Sequence, residues 1–410
     1  MSEWKKYRVS ELCSDIIDCV NKTAPIADKD TPFKMLRTSD VRDGFINLEG
    51  LNCVTEEVFQ KWIRRGELQV GDIVFTREAP LGEVGLVREA KNYFLGQRLV
   101  LYRANPKVCN NRFLMYWFLN PINKARLKSR GVGSTVTHLR VPECEQIEIT
   151  APDIETQSRI AEILSTYDNL IENNKQQIKL LEEAAQRLYK EWFLNLQFPG
   201  CSEKKFIDDI PEGWEKCNLG DLFDVIRGRS YSSKELSESE GVLMVNLSNI
   251  RSFGGYNRDQ EKHYTGKFTK DQTVKRHDLI MGVTDMTQER RTVGRVALIP
   301  NLQAEAMISM DVIKLVPRKG STLFYYAFLA YGGYSEVVSR FANGTNVLHL
   351  RPDVLKMVDV ILPDIELQER YADQFGIIQK RIDALQDESL LAVEARDRLL
   401  PKIMSGEIEL

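Results

Sequence analysis

The stretch GSTVTHLR at 133–140 returns as GTNVLHLR at 344–351, and the residues around it return with it. An offset of 211 carries APDIETQSRIAEIL (151–164) onto LPDIELQERYADQF (362–375), and RFLMYWFLN (112–120) onto LFYYAFLAY (323–331). With small drifts in register, EWKKYRVSELCSDII (3–17) meets GWEKCNLGDLFDVI (213–226), FKMLRTSDV (33–41) meets VLMVNLSNI (242–250), and VGDIVFT (70–76) meets RHDLIMG (276–282). Repeats of 20 to 50 residues build solenoids. A unit of this length is instead a whole domain written twice, and that constrains the fold more than any single motif.

After each Pro-Asp-Ile-Glu the pattern becomes helical. Ile160, Leu164, Tyr167, Ile171, Asn174, Ile178, Leu181, Ala185, Leu188 and Trp192 follow a 4-3 spacing. The same offset gives Tyr371, Phe375, Ile378, Ile382, Leu385, Ser389, Ala392, Arg396, Leu399 and Ile403. A sustained period of 3.5 residues predicts two helices wound on each other, each roughly 35 residues and about 50 Å long. Phe198-Pro199-Gly200 should end the first; Gly376 and Pro401 should make the second less regular at its ends. Before each helix, short strands are predicted at DIVFT, EVGLVRE and RLVLYRA, and at DLIMGV, GRVALIP and DVIKLVP, with a short helical segment at NRFLMYWFLNPINKARLK. The fold class is α+β: two tandem-repeated α/β globules joined and separated by two long helices. The expected parts are a first globule over 1–155, a central helix over 156–200, a second globule over 201–362 and a C-terminal helix over 363–410.

With 43% hydrophobic and 28% charged residues, and no apolar run of the roughly 18 residues a span needs, the chain reads as soluble and without a membrane partner. Its seven scattered Cys contain no CxxC, and MSEWKKYRV opens no signal peptide, so a cytoplasmic, reducing location is expected. Net charge is −3, but Lys91, Arg98, Arg103, Lys107, Arg112, Lys124, Arg126, Lys128, Arg130 and Arg140 lie between Glu89 and Glu143 with no acid among them. Such a run predicts a positive field for phosphates. Catalytic and metal signatures are missing: there is no GxxxxGK[ST], no Asn/Asp-Pro-Pro-aromatic tetrapeptide, no HExxH and no GxSxG. The chain reads as a binding module, with no catalytic residue and no metal ligand assigned.

IPEGWEKCNLGDLFD at the start of the second repeat, RLYKEWFLNLQFPG at the end of the first helix, RLLPKIMSGEIEL at the C-terminus and the twice-used PDIExQ entry resemble the DNA-specificity (S) subunit of type I restriction–modification enzymes. The resemblance spans essentially the whole chain. It implies two target-recognition domains, each reading one half of a bipartite site in double-stranded DNA. It implies that the two helices form an antiparallel coiled coil, with pseudo-two-fold symmetry. It also implies two methyltransferase (M) subunits and restriction (R) subunits as partners, with S-adenosylmethionine, ATP and Mg²⁺ bound there and no cofactor in this chain. On the residues alone, two other classes stay open: a self-sufficient DNA-modifying enzyme with an unrecognised site, and a protein-binding assembly scaffold.

Candidate DNA contacts are the hydroxyl- and amide-bearing turns, Ser134, Thr135, Thr345 and Asn346, and the His-Leu-Arg that follows each, His138, Arg140, His349 and Arg351. Hydroxyls, amides and guanidinium groups are the side chains that meet phosphates and base edges. Arg77, Lys124, Lys128 and Arg130 join them in the first half, and Arg227, Arg229, Arg290 and Arg291 in the second. Arg37 and Asn246 occupy matched positions in MLRTSDV and MVNLSNI: if these approach DNA the two halves read different bases, and if they are structural nothing follows for specificity.

Overall fold

Each half of the chain is organised around a helix that is apolar on nearly every face. Phe113–Phe118 are all buried within the helix Asn111–Leu119, and Phe324, Tyr325, Ala327, Phe328 and Leu329 are buried within Thr322–Tyr331. A helix apolar all round is stable only in the middle of a core. Full burial of each large side chain contributes about 2 kcal/mol. Asn110 caps the first helix through its side-chain oxygen, which accepts from the backbone N–H of Arg112 and Phe113; Ser321 caps the second. Pro121 then opens a separate helix, Pro121–Arg130, so the single helical segment expected here is two.

The computed structural model describes residues 4–130, 138–208, 210–258 and 262–408. It divides into two units, Met1–Glu172 with Ser389–Leu410, and Asn173–Glu388. In the first unit a four-stranded antiparallel sheet runs in the order Cys13–Asp18, Leu99–Ala104, Ile73–Thr76, Val84–Leu86. The second unit repeats the order with Phe223–Arg227, Val312–Pro317, Leu279–Gly282 and Val296–Leu298. Each unit also has a second sheet, three-stranded in the first and five-stranded in the second, around one parallel pair, Lys34–Leu36 beside Tyr93–Leu95 and Val242–Val245 beside Ala306–Ile308. A third ladder closes each unit: Lys5–Arg8 pairs with Glu148–Ala151, and Glu215–Asn218 with Asp359–Leu362. All six strands expected from sequence are present.

The repeated PDIExQ motif is a helix-entry device. Asp153 Oδ1 accepts from Thr156 N–H at 2.9 Å, and Asp364 Oδ1 from Leu367 N–H at 3.0 Å. Gln157 and Gln368, both buried, turn back to donate to the Pro152 and Pro363 carbonyls at 2.9 and 2.7 Å. The helices run Ile154–Tyr189 and Ile365–Met404, 36 and 40 residues. The first closes in a π-turn, Lys190–Leu194, before Phe198-Pro199-Gly200 is reached. The second runs unbroken through Gly376 and Pro401, against the irregularity expected there. Pro401 lies in the last turn, so the one helical hydrogen bond it removes comes where little helix remains to be disturbed. At Gly376 a Cβ would stand 3.4 Å from Leu323 Cδ1, an ordinary contact, so the helix passes this point without needing glycine there.

The helices are not free-standing spacers. In the first unit Ile160 and Leu164 share one core with Leu400, Ile403 and the aromatic helix. In the second, Tyr371 and Phe375 share a core with Ala185, Tyr189 and Phe324. Within each unit the two helical pieces run antiparallel. Arg396 reaches back to Asp168 in the first; Leu385, Arg381 and Tyr371 meet Asn174, Gln177 and Ala185 in the second. The heptad seam is therefore a pairing seam and a core face at once.

Candidate DNA interface

The His-Leu-Arg repeat is explained by backbone pairing. Leu139 N–H donates to the Arg77 carbonyl at 3.0 Å, and Leu350 N–H to the Val283 carbonyl at 2.8 Å. His138 bridges Glu78, and His349 pairs with Thr284, so each His-Leu pair extends the rim of the four-stranded sheet. Leu139 and Leu350 are buried plugs, and the alternation of a strand turns the flanking His and Arg the other way. Arg140 and Arg351 then start short helices, Val141–Glu145 and Pro352–Met357, and both side chains are exposed.

In the second unit four segments converge on this rim. Arg229 pairs with Ser309; Val283 N–H donates to the Asp311 carbonyl at 2.9 Å; Thr284 lies beside His349; and Gln288 Nε2 donates to the Thr345 carbonyl at 2.9 Å. The loop between Thr284 and Val293 is built around the buried carboxylate of Asp285. That group accepts from the backbone N–H of Thr287, Thr292 and Val293 and from the Thr287 hydroxyl. Burial works to raise its pKa, and these donors outweigh it, so it is held below the usual carboxylate range. Met286, Gln288, Thr345, Asn346, His349, Arg351, Arg227 and Arg229 are all exposed around this preorganised loop. The arrangement offers donors, acceptors and a positive surface, which suits phosphate positioning with base-edge contacts. Among the described residues no group of three or more His, Cys, Asp or Glu is placed to hold a metal ion.

The other candidates are placed differently. Asn246 is 4% exposed; its oxygen accepts from Ser248 N–H and its nitrogen donates to the Met244 carbonyl, so it presents nothing outward. Arg37 is gripped by Asp40 through Nε and Nη2 at 2.8–2.9 Å. The matched motifs have one job, since Asp40 accepts from Arg37 N–H and Asn249 from Asn246 N–H to close the same short turn. Arg77 turns inward to the Leu139 carbonyl and Asp18, and Arg290 to the Ser339 carbonyl. Lys124 is paired with Glu83 at 2.6 Å, Arg126 and Arg130 with Glu148, and Arg291 with Glu289. The acid-free run is thus largely neutralised by carboxylates from outside it, with Arg103 on Asp72 and Arg98 on Glu78 besides. Lys128 is exposed, and Ser134 and Thr135 lie outside the described residues. Sequence reading missed Met286, Gln288 and Asp311, whose place on the rim follows only from the strand pairing.

The family of type I restriction modification DNA specificity domains matches this chain twice, over residues 1–183 and 211–395. The chain belongs to that family. It is a DNA specificity subunit with two recognition domains, and each match takes in one sheet with its rim. It is similar to two specificity subunits of Methanocaldococcus jannaschii. The MjaIX type I restriction enzyme subunit is 25% identical over 86% of this chain and 81% of its own length. The MjaVIII subunit is 25% identical over 99% and 93%. The crystal structure of a type I restriction–modification S subunit from M. genitalium has the same fold, with a TM-score of 0.54 at 15% identity, over 98% of this chain and 96% of that one. No described helix of the specificity subunit is long and apolar enough to cross a membrane.

Proposed function

We propose that each unit reads one half of a two-part target in double-stranded DNA, and that the chain does no chemistry of its own. The reading rests on one observation above the others: each unit has the same strand framework with its own His-Leu edge, and the described residues along that edge differ between the two. A duplicated frame with divergent rims is what two half-site readers require. Methyl transfer with S-adenosylmethionine and ATP- and Mg²⁺-dependent cleavage belong, on this reading, to two methyltransferase subunits and to restriction subunits, and the assembly works in the cytoplasm.

The purified chain alone, given S-adenosylmethionine, ATP, Mg²⁺ and duplex DNA, is expected to modify nothing. Combined with the methyltransferase subunits of its own system, it should bind duplex DNA with an affinity that falls steeply with salt, about one released counterion per phosphate contact. Turnover by the chain alone would make it an enzyme. Salt-insensitive or absent DNA binding by the assembly would make it a scaffold.

A further inference from the structure

The strand framework allows the two rims to be superposed residue by residue through their backbone hydrogen bonds. Gly96 N–H donates to the Leu36 carbonyl and Ser309 N–H to the Val245 carbonyl. Arg77 N–H donates to the Arg98 carbonyl and Val283 N–H to the Asp311 carbonyl, at 2.8 and 2.9 Å. In the ladders, Leu99 faces Thr76 and Val312 faces Gly282. Arg98 and Asp311 therefore hold the same place, one residue before the second strand of the sheet order, where the strand leaves the core for the rim.

Their chemistry is opposite. Arg98 is exposed, with its Nε 3.4 Å from Glu78 Oε2. Its backbone sits at φ +69°, a left-handed conformation that is uncommon for arginine and tends to persist where surrounding structure and function hold it. Asp311 is half-buried, and its Oδ1 accepts from the Thr284 hydroxyl at 3.0 Å. Glu78 and Thr284 are themselves equivalent, since each pairs with the histidine of the repeated His-Leu-Arg. Each rim thus presents one polar group at a fixed point, steadied from the same side: a forked donor in the first unit, an acceptor in the second.

We propose that Arg98 and Asp311 are equivalent base-reading residues, Arg98 selecting guanine in the half-site of the first unit and Asp311 selecting a base-pair edge with an exocyclic amine, cytosine first, in the half-site of the second. The proposal rests on the half-site reading above and names residues within it. Arginine reaches the paired acceptors O6 and N7 of guanine, and a carboxylate accepts from the cytosine N4 amine. A carboxylate facing phosphates and carbonyl edges is repelled, so Asp311 also rejects the wrong base.

The test is selection from a pool of duplexes with randomised positions, by the full chain assembled with its methyltransferase subunits. The wild type should return a two-part consensus. Arg98→Ala should relax preference at one position of one half, on the order of 10- to 100-fold, and leave the other half unchanged. Asp311→Asn should do the same in the other half alone. Arg98→Gln replaces Arg98→Ala if the latter unfolds. A wild-type consensus that both variants retain, or equal weakening on all sequences, overturns the proposal and leaves the half-site reading standing. A wild type that returns no consensus defeats the half-site reading itself.

Discussion

Lys124 lies in the middle of the acid-free run, yet its ammonium is committed to Glu83 from another part of the chain. That is how the linear charge reading fails: neutralisation is a property of distance in space, and every acid that quenches this run lies outside it in sequence. The second unit has its own example in Asp383, 1% exposed on the C-terminal helix. It accepts from Arg276 Nε at 3.0 Å, His277 Nε2 at 2.8 Å and Gln379 Nε2 at 2.9 Å. Burial pushes its pKa up, and the donors, His277 first, more than offset this, so the net shift is downward. A carboxylate with a depressed folded-state pKa stabilises the fold above its unfolded value of about 3.9, and the contribution drains away as pH falls through the folded value. Urea titrations of the wild type and Asp383→Asn should therefore differ most at neutral pH and converge below about pH 4. A difference that stays constant or grows on acidification would show that the carboxylate's charge contributes nothing.

The helices show what sequence could and could not carry. Their period is local, so the seam from Ile160 to Trp192 and its repeat were legible residue by residue. Asn174 and Leu385, equivalents under the offset, do meet, with Asn174 Nδ2 3.4 Å from the Leu385 carbonyl and 2.8 Å from Glu388 Oε2. The ion pair was not legible, because nothing in the spacing says that Arg396 is for Asp168. Both are buried, 2.7 Å apart, and Tyr116 donates to the second oxygen of Asp168 at 2.5 Å. The residue matched to Arg396 in the first helix is Ala185. A chain ending near Lys204 keeps Asp168 and loses its cation, and a second copy of the same helix offers only alanine there. Breaking such a buried pair costs about 3–5 kcal/mol. The truncated chain should pair with itself along the exposed seam, but weakly, and Ala185→Arg should tighten that dimer in sedimentation equilibrium. A tight dimer without the substitution, or no gain with it, would show that the ion pair does not govern helix pairing. The rim loops were the least legible part, because their side chains are brought together by strand register, which periodicity alone does not fix.

At the scale of the molecule, duplication supplies two frames and divergence supplies two rims. PDIExQ, His-Leu-Arg and the matched MLRTSDV and MVNLSNI turns recur because each holds a helix entry, a sheet edge or a tight turn that both frames need. At the open end of the sheet matched positions differ in kind, Arg98 against Asp311 and Asp18 against Arg227. The central claim is that each unit reads its own half of the target without reference to the other. It is tested most directly by replacing residues 205–362 with the matching segment of a relative of different specificity and mapping methylated bases genome-wide in cells that carry the methyltransferase subunits. The account predicts that one half of the recognised sequence changes to the relative's half, while the other half stays as it was. Both halves changing together, or neither, would contradict it.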